Sequence, residues 1–222
     1  MNRNLVIGLV ALILVAGGAI FYATNQSGSA TAPVNGGTSG TADLSSGTLP
    51  TSAEGYQAIV AYGDPDAPIK IVEFASMTCP HCATFHAEDL PALKRDYIDT
   101  GKVYLELHPF PLDMLAAKAT MLAACGGDKN AAFTQVLFVQ QAQWATSNAP
   151  IEALAQIAQL GGMSRADFDK CMADEELFNS IVKARYDAQA NYKIQGTPSF
   201  VINGKLTSEP FTKSTFDKLL AD

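Results

Sequence analysis

The sequence predicts an α/β domain made in two halves, a strand–helix–strand opening and a hairpin–helix closing, with a long helical stretch between them. Three observations carry this. The β-branched and aromatic run Ile69–Ala75 (IKIVEFA) leads into Pro80 and an amphipathic segment. Near the other end, residues 195–205 (QGTPSFVINGK) join turn residues to a short β run, Ser199–Ile202, and to the hairpin signal of Asn203 and Gly204. From about 112 to 192 the apolar residues recur at helical spacing.

In chain order, Arg3 precedes an uncharged, mainly apolar run over 5–22. Its length lies between the apolar part of a cleaved signal and a membrane span. Residues 1–23 therefore read as a signal peptide or an N-terminal membrane anchor, with small residues at Gly28, Ser29 and Ala30 for a cut. Residues 24–55 are dominated by Gly, Ser, Thr and Ala, with scattered Pro and almost no charge, which buries too little apolar surface to fold and reads as a flexible linker. Residues 56–222 are long enough for one domain with its own core.

Within that domain, Ile69–Ala75 is a buried strand. Pro80 suits the first turn of a helix, where a missing N–H costs nothing. Cys82, Phe85, Leu90, Leu93 and Tyr97 give this helix an apolar face, Pro91 should kink it, and Gly101 should follow its end. Residues 103–110 (VYLELHPF) alternate as the next strand, parallel to the first across the helix. The middle stretch shows three apolar faces: Phe133, Val136, Leu137, Gln141 and Trp144; then Ile151, Leu154 and Ile157; then Leu177, Ile181, Ala184 and Ala188. A helix over 212–220 closes the domain.

Cys79 and Cys82 fall where the first strand gives way to its helix. Unpaired backbone N–H groups and the positive end of the helix dipole favour a thiolate there. Cys79 is the expected nucleophile, with its pKa lowered by the helix terminus and by any positive charge on His81; Cys82 is its buried partner. The same residues, with His86, could instead form a metal site, although no second Cys-X-X-Cys or His-X-His cluster completes one. His86 itself reads as exposed or cleft-lining, and His108 as structural or exposed.

Taken together, Glu73, the Cys79-Pro80-His81-Cys82 dithiol, the Thr197-Pro198 pair and the FVING hairpin resemble the DsbA-like branch of the thioredoxin superfamily, in order and spacing from about Tyr56 onward. The resemblance implies a thioredoxin fold with a helical insertion at about 112–192. It also implies a cis Pro198 lying against the dithiol, a Thr197 backbone that pairs with substrate, and a buried Glu73 that assists proton transfer. Met77 and Thr78 flank the reactive sulfur and are candidate substrate contacts. In an exported protein with four cysteines, Cys125 and Cys171 are left to form a structural disulfide, as in some alphaproteobacterial members.

The expected function is a periplasmic protein-disulfide oxidoreductase that passes its Cys79–Cys82 disulfide to unfolded or newly exported proteins, needing no organic cofactor or metal. By resemblance, a quinone-linked membrane protein of DsbB type would reoxidise it. Thr197 stands where oxidases of this family often carry valine, which keeps a disulfide isomerase or a reductase of dedicated targets as the alternative. A copper- or zinc-binding protein is the alternative of another class. The net charge of −7 with no basic patch gives no sign of nucleic-acid binding, and the linker shows no dimerisation pattern, so a monomer is expected. The chain would work in the periplasm or at the outer face of the cytoplasmic membrane, touching that membrane if the first segment is kept.

Overall fold

The computed structural model describes residues 59–207 and 212–219. The expected signal or anchor segment (1–23) and the expected linker (24–55) lie outside the described residues. Among the described residues no helix is long and apolar enough to cross a membrane.

The core is a five-stranded mixed sheet in the order β1-β3-β2-β4-β5. Its strands are β1 (Val60–Tyr62), β2 (Ile69–Ala75), β3 (Val103–Pro109), β4 (Ser199–Ile202) and β5 (Lys205–Leu206). β2 runs parallel to β3 and antiparallel to β4, so Glu73 stands between Leu107 and Phe200 at the centre of the sheet. The β4–β5 hairpin turns through Asn203 and Gly204, both at positive φ, as that two-residue signal requires. β1, a three-residue strand antiparallel to β3, has no counterpart in the sequence reading.

Between β2 and β3 the chain is helical but irregular. α1 (Pro80–Thr84) and α2 (Leu90–Leu93) alternate with two π-turns, Phe85–Asp89 and Lys94–Ile98. Pro91 has no N–H to give to the carbonyl of Ala87, and the preceding turn is widened so that Leu90 N bonds Phe85 O. The break expected at Pro91 thus takes the form of π-turns on either side of α2. Gly101 follows at φ 75°, a conformation that favours glycine.

Six α-helices and one 3-10 turn (Gly127–Lys129) separate β3 from β4; the α-helices are α3 (Met114–Ala124), α4 (Asn130–Val139), α5 (Gln141–Ala145), α6 (Pro150–Leu160), α7 (Arg165–Met172) and α8 (Glu175–Tyr192). α9 (Lys213–Leu219) follows the hairpin. The fold is a thioredoxin fold carrying a helical insertion. One face of the sheet buries Ile71, Leu105 and Phe200 against Phe85, Leu90, Leu93 and Phe216. The opposite face buries Val72, Phe74 and Val201 against Phe110, Ala188 and Ile194. The largest cluster joins Ala75, Leu107, Cys79 and Cys82 to Leu122, Phe133, Leu137, Phe138, Trp144 and Leu154 of the insertion. Ile151, placed on an apolar face by its spacing, is 42 % exposed and outside that core.

Candidate active site

The residues before the dithiol are fixed by side chains from the insertion. Ser76 Oγ accepts from Leu112 N at 3.2 Å, and Thr78 Oγ1 donates to Asp113 Oδ2 at 2.7 Å, while the other oxygen of Asp113 caps α3 by accepting from Ala116 N. The Gln141 amide donates to both Met77 O and Cys79 O at 2.9 Å. Gln141 was read from its spacing as part of an apolar face. It is indeed buried, but its amide serves two buried carbonyls that only the folded loop brings to it. Replacing Gln141 by Leu leaves both carbonyls without this donor, so we expect a loss of about 1–3 kcal/mol, read as a lower denaturant midpoint.

Cys79 is the N-cap of α1, with Pro80 directly after it. Both Cys79 and Cys82 are free thiols, and both are buried, Cys79 at 4 % exposure and Cys82 at 0 %. The Cys79 thiol is pulled down to about 5, first by the Cys82 thiol that hydrogen-bonds it. Burial opposes this, and Thr197 together with the backbone N–H groups of Cys82 and His81 adds to it. The Cys82 thiol is pushed up instead, by burial first and then by the Cys79 hydrogen bond and the charges of Glu73 and Cys79. One sulfur is thereby set to be a thiolate and the other to keep its proton. The His81 side chain is exposed, and its backbone N–H is one of the donors that lower the Cys79 thiol.

Thr197 and Pro198 are joined by a cis peptide bond and face the dithiol. Cys79 Sγ lies 3.2 Å from Thr197 O, a contact that suits a thiol donating to a carbonyl. A thiolate has no proton to give there; the Thr197 hydroxyl, buried without a hydrogen-bond partner, adds to the lowering of the Cys79 thiol behind the larger effect of Cys82. Met77 is buried at 2 % exposure, and Thr78 is half-buried.

Glu73 is fully buried and paired with His86. This corrects the reading of His86 as exposed or cleft-lining: it is 0 % exposed. Its ring stacks on Phe138 with centroids 3.9 Å apart, and its Nε2 faces the Glu73 carboxylate at 3.1 Å. Both partners come from other elements, which is why spacing along the helix did not show them. Among the described residues no three His, Cys, Asp or Glu side chains gather as a set able to hold a metal ion, so Cys79, Cys82 and His86 do not form one. His108 is largely buried and bonds Glu106 at 2.9 Å. Cys125, at the end of α3, and Cys171 of α7 are joined by a disulfide with Cα atoms 6.3 Å apart.

A sequence model described as thioredoxin matches residues 56–222. Among curated proteins, one named as a candidate protein-disulfide oxidoreductase in Rickettsia bellii (strain RML369-C) is 37% identical over 147 residues, covering 65% of this chain and 57% of that protein. Disulfide bond formation protein D of Bacillus subtilis (strain 168) is 29% identical over 156 residues, 65% of this chain and 67% of that one. The chain spans only 53–57% of the length of the Rickettsia relatives it matches. The crystal structure of Wolbachia pipientis alpha-DsbA1 is similar at a TM-score of 0.67 and 30% identity, covering 72% of this chain and 88% of that one.

Proposed function

The chain belongs to the thioredoxin family, in its DsbA-like branch, and from that premise we propose that it is a thiol:disulfide oxidoreductase that donates the Cys79–Cys82 disulfide to other proteins. The observation that carries this reading is the opposed tuning of the two sulfurs, with Cys79 at about 5 and Cys82 held up by burial. A thiolate of the substrate attacks Cys79 of the oxidised protein and forms a mixed disulfide, while the electron pair of the broken S–S bond leaves on Cys82, which takes a proton. A second substrate thiolate then attacks the substrate sulfur of that bond. The substrate leaves oxidised, and the protein keeps Cys79 as a thiolate.

In this reading Cys79 is the nucleophile and Cys82 its partner. Pro80 and the N–H groups of His81 and Cys82 set up the helix terminus, and Glu73 exchanges the proton with Cys82. Thr197 and Pro198 hold the incoming peptide, with Met77 and Thr78 at its edge. The substrates are exported proteins with free cysteines, and a membrane protein of DsbB type restores the disulfide. Residues 1–23 direct or tether the domain outside the cytoplasm across the 24–55 linker. The redox-active disulfide is the whole of the chemistry, and Cys125–Cys171 is structural.

The test is the pH dependence of the Cys79 thiolate in the reduced chain, followed by alkylation rate. The reading expects a midpoint near pH 5; a midpoint near that of an ordinary thiol, about 8.5, overturns it. Stability should follow the same proton. Because the folded-state value is depressed, the stabilisation of the reduced form is complete above the unfolded thiol's pKa and is lost as pH falls through about 5. The oxidised form has no such thiol. Between pH 7 and pH 5 the reduced form should therefore lose about 2 kcal/mol relative to the oxidised form, measured by denaturant unfolding of each.

A further inference from the structure

The buried Glu73–His86 pair, whose carboxylate charge bears on the Cys82 thiol, contains a residue to which the exchange chemistry above gives no part. His86 Nε2 lies 3.2 and 3.1 Å from the two carboxylate oxygens of Glu73, and both residues are 0 % exposed. Against an ionised Glu73, a nitrogen facing both oxygens is an N–H shared between them, since an unprotonated nitrogen would set lone pair against lone pair. The other ring nitrogen, Nδ1, is buried with no hydrogen-bond partner. The hydrogen bonds thus place a proton on Nε2.

That ring has little freedom. Phe138 of α4 stacks on it at 18°, Phe85 meets it edge-on at 88°, and Gln135 of α4 donates its amide to the His86 backbone carbonyl. The π-turn Phe85–Asp89 buries the adjacent Phe85 and His86 together. The titratable groups around the pair are Tyr62 of β1, held protonated at about 12 by burial and by the Glu73 charge, and Cys82 of α1, with Cys79 beyond it. Phe138 and Gln135 do not titrate.

We propose that His86 is a positioning residue for proton transfer at Cys82: its Nε2–H holds both oxygens of Glu73 and keeps that carboxylate turned as an acceptor beneath the dithiol. The inference rests on the exchange function proposed above and deepens it. The step it serves is closure of the mixed disulfide between Cys79 and an outside thiol. Cys82 gives its proton to Glu73, the Cys82–Cys79 S–S bond forms, and the bond from Cys79 to the outside sulfur breaks. That sulfur leaves with the electron pair as a thiolate, reduced as Cys82 is oxidised.

The experiment loads Cys79 of the reduced full chain with glutathione from glutathione disulfide and follows release of glutathione from pH 5 to 9. Three proteins are compared: the natural sequence, His86→Phe, which keeps a ring to stack on Phe138 but has no N–H, and His86→Gln, which restores an N–H near the same place. Closure in His86→Phe should be about tenfold slower at neutral pH and should approach the natural rate at pH 9, where hydroxide removes the Cys82 proton instead. His86→Gln should keep the natural profile. Superimposed profiles for His86→Phe and the natural chain overturn the proposal, as does a pH-independent loss shared by both variants, which marks packing. Nitrogen-15 NMR of the unsubstituted reduced chain gives a test that needs no variant to fold: a proton on Nε2 supports the proposal and a bare Nε2 overturns it. A natural chain that forms no mixed disulfide at all fails differently, because it overturns the exchange function itself and the inference with it.

Discussion

Cys82→Ser should turn the protein into a trap. The substituted chain still attacks disulfides through Cys79, because Thr197 and the backbone N–H groups of residue 82 and His81 still favour its thiolate after the Cys82 thiol, the largest cause, is removed. Without the second sulfur nothing inside the protein can displace the bound partner, so a mixed disulfide on Cys79 accumulates. Catalysed exchange should fall by roughly 1,000-fold or more, the scale on which loss of a reacting group removes covalent catalysis. Non-reducing electrophoresis after mixing the reduced chain with a disulfide-containing protein should show a covalent adduct that Cys79→Ser does not form. A Cys82→Ser chain that turns over normally, with no adduct, would place the reacting pair elsewhere.

The second large effect belongs to stability. The Cys125–Cys171 disulfide spans a sequence separation of 46 residues, and removing it frees the unfolded chain to explore what the crosslink forbids. In the chain-entropy description that is worth about 4 kcal/mol, to which disturbed packing adds, because Cys171 lies in a cluster with Ala117, Met121 and Ile181. Replacing both cysteines by Ser should lower the melting temperature of the oxidised chain by about 10 °C. Exchange at Cys79 per folded molecule should not change, since this disulfide contributes no contact to the dithiol, Thr197 or Glu73. A melting temperature that does not move would mean that the unfolded state is already restrained, or that the insertion folds without its crosslink.

The parts of this architecture that were legible in the sequence are those set by local rules. β2 carries its own pattern, Pro80 marks a helix start, and the hairpin is written in Asn203 and Gly204. Other features depend on partners that arrive from elsewhere. α3 is buried on nearly all sides, from Ala116 to Ala123, so it shows no apolar stripe to set it apart. β1 is too short for alternation to register. Gln141 sits among apolar neighbours because its amide has two loop carbonyls to serve, which periodicity cannot tell from a core position. His86 was misjudged for a related reason: its burial is set by Glu73 on the sheet and Phe138 on the insertion, and only tertiary packing unites them.

The central claim is that the low-pKa thiol of Cys79 makes the Cys79–Cys82 disulfide a donor, and its equilibrium with glutathione tests that most directly. Stabilising the thiolate stabilises the reduced form, so the disulfide should be readily given up, with a potential above that of glutaredoxin-like dithiols, which lie at about −200 to −230 mV. A potential near thioredoxin's, about −270 mV, would contradict the claim and make the protein a reductase, with Thr197 the first residue to replace.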